Sequence, residues 1–192
     1  MHESFTIRAA TAERPRQSTS GDRKQPHKHP AATTTMNAIH KRIQSQSTYS
    51  LRHSVLWPNI ALEDQGLPED DRPGVIHFGS FVQGREEPVC IVTFVCDELA
   101  RDVQFRKFAT DSGYQSRGIG SSLLRYAMDR VLSEMKGQEE IKVWCNARTT
   151  ALGFYERFGL HELPDGKRYT KYGEGGKAID YVQIGGMFKP LS

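Results

Sequence analysis

Residues 102–137 read DVQFRKFATDSGYQSRGIGSSLLRYAMDRVLSEMKG and join two different hydrophobic patterns. The first nine residues are β-prone and partly alternate between apolar and polar, which predicts a strand at 102–110. From Ile119 onward the apolar residues repeat at helical spacing, which predicts an amphipathic helix that ends at Gly137. The rest of the chain is interpreted as support for this strand, turn and helix.

The turn at 115–120 contains Gly118 and Gly120 next to Arg117. Two residues without a Cβ stand where the first helical turn has N–H groups that lack intrahelical acceptors. The positive end of the helix dipole and the Arg117 guanidinium add to these amides. The turn therefore predicts a site for phosphate or pyrophosphate. The alternative is that the glycines serve a turn that requires positive φ.

Two familiar phosphate-binding loops fit this turn poorly. A Rossmann fingerprint requires a third glycine where the chain has Leu123, and a Walker loop requires Gly-Lys-Ser/Thr where Gly120 is followed by Ser121. What remains is Gln-x-x-Gly-x-Gly, with Gln115, Gly118 and Gly120 as its fixed positions.

This pattern resembles the acyl-CoA pyrophosphate motif of the GNAT superfamily of acyl-CoA-dependent N-acyltransferases, Gln/Arg-x-x-Gly-x-Gly/Ala. Downstream, the apolar pattern of residues 140–145 predicts a strand, and that of residues 147–160 predicts a helix. That helix is similar to the family's second signature, with Ala151, Tyr155 and Gly159 in register. Arg148 stands where many members have Asn, and at a helix start it could itself reach a phosphate.

The resemblance implies acetyl-CoA as cosubstrate and an amine as acceptor, attacked directly in a ternary complex. It implies that the strand at 108–110 parts from its neighbour and pairs with the pantetheine arm. The cofactor-binding residues it implies are Phe108, Ala109, Thr110, Gln115, Ser116, Arg117, Gly118, Ile119, Gly120 and Ser121.

The same resemblance assigns Tyr155 as the acid that protonates the leaving thiolate, and the alternative is a core aromatic residue. No general base is named, because Gln104 and Arg106 occupy the central strand where a carboxylate would serve. An acidic loop at 59–73 is either solvated or lies where the amine arrives. A non-catalytic acyl-CoA-binding or regulatory module on the same fold is the alternative function.

The predicted fold class is α+β: a single domain with a mixed, mostly antiparallel sheet flanked by helices, similar to the GNAT topology. A helix is predicted at 48–57, and His77 is interpreted as a packed or surface strand residue rather than a base. The remaining strand predictions lie at 39–43, 75–82, 88–96, 167–171 and 180–184.

Residues 1–36 are predicted to form a disordered basic tail, and residues 37–192 the folded domain. Residues 1–35 contain six basic and three acidic side chains and no Leu, Val, Trp or Tyr. Because the chain's formal net charge is +3, the rest of the chain is balanced. The folded domain is therefore not expected to bind nucleic acid, although the tail stays open as an arm for an anionic partner.

No apolar run approaches the length of a membrane span, so a cytoplasmic protein is expected, with the nucleus left open. Cys90, Cys96 and Cys145 lie in apolar strand patterns without Cys-x-x-Cys spacing, which favours reduced buried thiols over a metal site. No metal is expected. The oligomeric state is left open, a homodimer included.

Overall fold

A computed structural model describes residues 37–135, 137, 140–173 and 176–190. The tail predicted at 1–36 lies outside the described residues. The strands and α-helices, in chain order, are β1 (Ala38–Ile43), α1 (Tyr49–Leu51), β2 (Val75–Val82), β3 (Cys90–Asp97), β4 (Asp102–Thr110), α2 (Ile119–Glu134), β5 (Ile141–Arg148), α3 (Leu152–Glu156), β6 (His161–Glu162), β7 (Arg168–Tyr172) and β8 (Ala178–Phe188).

One sheet runs through the domain in the order β1-β2-β3-β4-β5-β8-β6, and β7 also pairs with β8. The β4–β5 pair is parallel and the other pairs are antiparallel. The predicted mixed, mostly antiparallel sheet is therefore confirmed. The pairing of β4 with β5 ends at Gln104 and Trp144, so the second half of β4 parts from β5.

Helix α2 covers one face of the sheet with the apolar stripe that its sequence predicts. Its buried residues are Ile119, Leu123, Leu124, Ala127, Met128, Val131 and Leu132. They join Phe78, Phe94 and Phe105 of the sheet in the main hydrophobic core. The helix ends at Glu134, three residues before the predicted stop, and Gly137 follows at φ +79°.

Irregular helical turns cover the opposite face, where a regular helix at 48–57 was predicted. They comprise a 3₁₀ turn at Ser45–Thr48, α1, and a π turn at Arg52–Leu56. The Trp57 amide donates to the Arg52 carbonyl five residues back, and the Arg52 side chain turns inward to Asp70. The π turn forms where Arg52 is drawn into this buried contact.

The helix predicted at 147–160 is wrong at both ends, because Ala147 and Arg148 belong to β5 and α3 already ends at Glu156. They pair with Val182 and Tyr181 of β8, and the buried alternation of β5 continues through Ala147. A 3₁₀ turn at Thr149–Ala151 then leads into α3. Arg148 is thus a strand residue, and its Nε is buried without a hydrogen-bond partner among the described residues.

His77 lies buried in β2, which decides between the packed and surface positions that the sequence left open, and it is held by two hydrogen bonds. Its Nε2 is 2.9 Å from the Asp70 carbonyl oxygen, which can only accept, so Nε2 donates. In the neutral ring Nδ1 then accepts from the Thr93 hydroxyl at 2.9 Å. Burial lowers the pKa of His77 below its ordinary value of 6.5.

Acidification is expected to weaken the fold through His77. Since the folded pKa lies below 6.5, the unfolded chain takes up this proton first, and stability that is full above pH 6.5 declines below it. Between about pH 7.5 and pH 5.5 the loss from this group should be about 1 kcal/mol, measured by urea unfolding. His77→Gln should lose less over the same interval. Equal losses in the two proteins would contradict this assignment.

Candidate functional site

The glycine turn begins helix α2 with Gly118 in the left-handed region, at φ +80° and ψ −9°. The Ser122 amide donates to the Gly118 carbonyl at 3.0 Å, which is the first hydrogen bond of the helix. The amides of 119–121 precede that bond and form the positive end of a helix of sixteen residues. This geometry suits an anion.

Gln115 ties the turn to the end of β4. Its Nε2 donates to the Thr110 carbonyl at 3.0 Å, so this amide group is engaged within the protein. Asp111 accepts from the Gly113 amide at 2.9 Å and starts the short 3₁₀ turn at Ser112–Tyr114. Gln115, the first residue of the motif, therefore positions the glycine turn relative to the end of β4.

A cleft of about 460 Å³ runs from this turn to β4 and α3. Its lining residues are Phe108, Thr110, Tyr114, Gln115, Ser116, Gly118, Gly120, Ser121, Thr150, Ala151, Gly153, Phe154 and Arg157. The cleft is lined by the aromatic rings of Phe108, Tyr114 and Phe154 and by the glycine turn with its two serines. The Phe108 ring lies against the turn, since a Cβ on Gly120 would meet its Cζ at 3.3 Å.

Seven of the predicted site residues line this cleft, and the other four do not. Ala109 faces the opposite side of the sheet against Leu51, and Ile119 is buried in the main core. The Arg117 guanidinium lies 5.6 Å from the Tyr114 ring centroid. Tyr155 is the fourth, and it is buried beneath the lining.

Tyr155 is fully buried behind the cleft. Its ring centroid lies 4.9 Å from that of Phe154, in an edge-on arrangement, and 5.8 Å from that of Phe105. Its hydroxyl has no hydrogen-bond partner in the part of the chain that the structure describes. Burial raises the pKa of Tyr155 well above its ordinary value, so the hydroxyl keeps its proton.

Sequence reasoning missed the residues that α3 and the turn before it contribute. Thr150, Ala151 and Gly153 are small residues that line the cleft, and Arg157 adds a cation to it. The signal was available in the Ala-x-x-x-Tyr signature, because a helix with small residues on one face permits close approach. Arg157 carried no comparable signal, since exposed arginines are common in helices.

The opposite face of β4 carries a cluster of charged side chains near the place where the strands part. Arg52 and Asp70 form a buried bidentate pair, with Nη1–Oδ2 and Nη2–Oδ1 distances of 2.5 and 2.8 Å. The Arg106 Nη2 lies 3.2 Å from Oε1 of Glu69. The acidic loop is thus not simply solvated, because its two carboxylates at 69 and 70 fold back onto the protein.

Lys107 belongs to the same cluster and is 2% exposed. A β-bulge places it there: Ile91 faces Ala109 and Thr93 faces Arg106, so β4 has one extra residue, and Lys107 takes φ +54°. Burial lowers the pKa of Lys107 to about 7, and the positive charge of Arg106 acts in the same direction.

The thiols of Cys90 and Cys145 are buried, as expected, whereas Cys96 is partly exposed. Burial raises the pKa of Cys90 to about 12, so it is not a thiolate nucleophile. Among the described residues, no three His, Cys, Asp or Glu side chains are grouped to hold a metal ion. No helix in the described ranges is long and apolar enough to cross a membrane.

The match to known sequences agrees with the geometry of the turn and cleft. Residues 77–161 match the family described as Acetyltransferase (GNAT) domain. Uncharacterized N-acetyltransferase YitI of Bacillus subtilis (strain 168) is 31% identical over 147 residues, which cover 75% of this chain and 95% of that protein. The chain belongs to the GNAT acetyltransferase family. It is therefore an acyltransferase, and the resemblance found in the sequence is confirmed.

Solved GNAT structures share the fold of this family member. The ribosomal-protein-S18-alanine N-acetyltransferase from Escherichia coli aligns with a TM-score of 0.64 at 14% identity, covering 81% of this chain and 97% of that one. Arabidopsis thaliana NAA60 in complex with acetyl-CoA aligns with a TM-score of 0.58 at 14% identity, covering 79% and 99%. At such identities the likeness describes the fold alone.

Proposed function

We propose that this GNAT protein transfers an acetyl group from acetyl-CoA to an amine, which attacks the thioester directly while both substrates are bound. One observation carries the proposal: a single cleft joins the amides at the start of α2 to the half of β4 that has parted from β5. A long cofactor with a phosphate at one end and a thioester at the other matches this arrangement.

The phosphate end of the cofactor is assigned to the turn at 115–121. The pyrophosphate would accept hydrogen bonds from the amides of 119–121, with the positive φ of Gly118 turning the chain around it. The hydroxyls of Ser116 and Ser121 and the guanidinium of Arg157 line the same cleft. Arg117 is assigned here as a peripheral cation that faces the Tyr114 ring.

The pantetheine arm is assigned to the second half of β4. Past Gln104 this strand has no register partner on β5 among the described residues. An extended chain with amide groups can pair with such an open strand edge, as a peptide does when it extends a sheet. Phe108 and Thr110 would hold the arm from the cleft side, and the Ala109 backbone would contribute to the pairing.

An amine panel with acetyl-CoA tests the proposal by detecting free thiol. The panel would contain a small diamine, an aminoglycoside, peptides with free N-termini and a lysine peptide. Release of thiol that depends on one acceptor, together with the acetylated product, supports it. Binding of acetyl-CoA in calorimetry without thiol release from any acceptor would favour the non-catalytic module.

Tyr155→Phe is expected to lower turnover at least about tenfold and to leave acetyl-CoA affinity near that of the wild type. The change removes the proposed proton donor to the thiolate and keeps the packed ring. Because the hydroxyl has no partner among the described residues, its loss should not destabilise the fold. Turnover on the best panel amine and calorimetry give the two readouts. Unchanged turnover would make Tyr155 a core aromatic residue.

A further inference from the structure

The β-bulge in β4 brings two consecutive basic side chains to one face of the sheet. Arg106 contacts Glu69, and Lys107 lies with its Nζ 4.7 Å from the centroid of the Trp57 ring. Both partners belong to the segment that covers the face opposite α2. Without the extra residue, neighbouring side chains of β4 would point to opposite faces. The bulge therefore sets the position of the Lys107 amine.

Burial and two arginines favour the neutral amine of Lys107, whereas the Trp57 ring and two carboxylates favour its charged form. The arginines are Arg106 and Arg52, which form ion pairs with Glu69 and Asp70 respectively. Burial is the largest cause of the lowered pKa, the two arginines add to it, and the two carboxylates oppose it. A substantial share of the amines is thus unprotonated at neutral pH.

Lys107 lies in the half of β4 that has parted from β5. The pairing of β4 with β5 has ended three residues before Lys107, at Gln104, and Phe108, its neighbour in the chain, lines the cleft from the α2 side. A thioester that passed from the cleft into the gap between the two strands would approach the face of β4 that carries the Lys107 amine.

We infer that Lys107 is itself an acetyl acceptor, modified from acetyl-CoA bound in the cleft. This inference rests on the proposed function, because it requires the cofactor to bind with its thioester between the parted strands.

The reaction balances without another reactant. The lone pair of Lys107 Nζ attacks the thioester carbonyl carbon, the N–C bond forms and the C–S bond breaks. The nitrogen gives up one proton, and the departing thiolate takes it, so the products are an acetamide and free coenzyme A. An amide does not return its acetyl group to another amine readily, so each chain reacts once.

The test uses the full chain and isotopically labelled acetyl-CoA, without any amine acceptor. Peptide mapping should find the label on Lys107 at least about tenfold faster than on the exposed Lys41 and Lys167 at neutral pH, because bound acetyl-CoA would hold its thioester near Lys107, whereas the surface lysines meet it only by collision from solution. Thiol release should stop at about one equivalent per chain. The rate at Lys107 should level off above about pH 7, where its amine is largely unprotonated.

Competition and substitution separate enzymatic labelling from reaction in solution. Excess free coenzyme A should suppress labelling of Lys107 and leave that of Lys41 unchanged, and Gly118→Val should do the same. In Lys107→Arg, calorimetry should still detect acetyl-CoA binding while the one-equivalent thiol release is lost.

Three results would overturn the inference, and they differ in what else they affect. Bound acetyl-CoA with unlabelled Lys107, or labelling of Lys107 that free coenzyme A does not suppress, rejects self-acetylation and leaves the proposed function standing. Absence of acetyl-CoA binding to the wild-type chain rejects both proposals together.

Discussion

Gly118→Val is expected to weaken acetyl-CoA binding by about two orders of magnitude or more while most of the fold remains. Gly118 has φ +80°, a conformation that a β-branched residue rarely adopts, and it begins α2. An added Cβ would meet no protein atom within 4 Å, so the change fills open space at the proposed pyrophosphate site. The expected loss arises from displaced amides and from the side chain itself.

Gly84→Val is the matched control, because it imposes the same backbone strain away from the cleft. Gly84 lies in the β2–β3 hairpin at φ +81°, and a Cβ there would also meet nothing within 4 Å. Both variants should lose similar thermal stability, and calorimetry should find weakened acetyl-CoA binding in Gly118→Val alone. A natively folded Gly118→Val protein that binds within a few-fold of wild type would move the phosphate site elsewhere.

The unit at 102–137 could be predicted from the sequence because two local signals coincide in it. Apolar residues repeat about every two positions in the strand before Gly118 and about every 3.6 positions in the helix after it. Both elements form close to the predicted bounds. The turn between them needs a residue that tolerates positive φ, and glycine is the residue that meets this need. Local chemistry therefore decided this part of the fold.

Features that depend on tertiary contacts could not be predicted from the sequence. The alternation of β5 continues to Ala147 because β8 pairs with it, and β8 lies far along the chain. The extra residue of β4 interrupts the apolar alternation at Arg106 and Lys107, but two consecutive charged residues normally indicate exposure, so the burial of Lys107 could not be foreseen. An acidic loop normally indicates solvent exposure, yet Asp70 is buried because Arg52 meets it.

Asp70→Asn is expected to destabilise the protein by about 3–5 kcal/mol, because it leaves the buried guanidinium of Arg52 without a counter-charge. The side chains of Arg52 and Asp70 are 0% and 2% exposed. Burial alone would raise the pKa of Asp70, but hydrogen bonds and charge from Arg52 outweigh it and lower the pKa. Arginine keeps its proton at any ordinary pH, so the variant cannot escape the cost by neutralisation.

Glu162→Gln provides the matched control, since it removes the carboxylate of an equally well-formed pair on the surface. Glu162 accepts from Nε and Nη2 of Arg168 at 2.6 and 2.5 Å, and both side chains are exposed. Water solvates either charge once the other is removed, so urea unfolding should detect little change. If the two variants lost similar stability, burial would not be the cause. If Asp70→Asn also spared the fold, Arg52 would have to find another acceptor, and the charged cluster beneath Trp57 would have to rearrange around it.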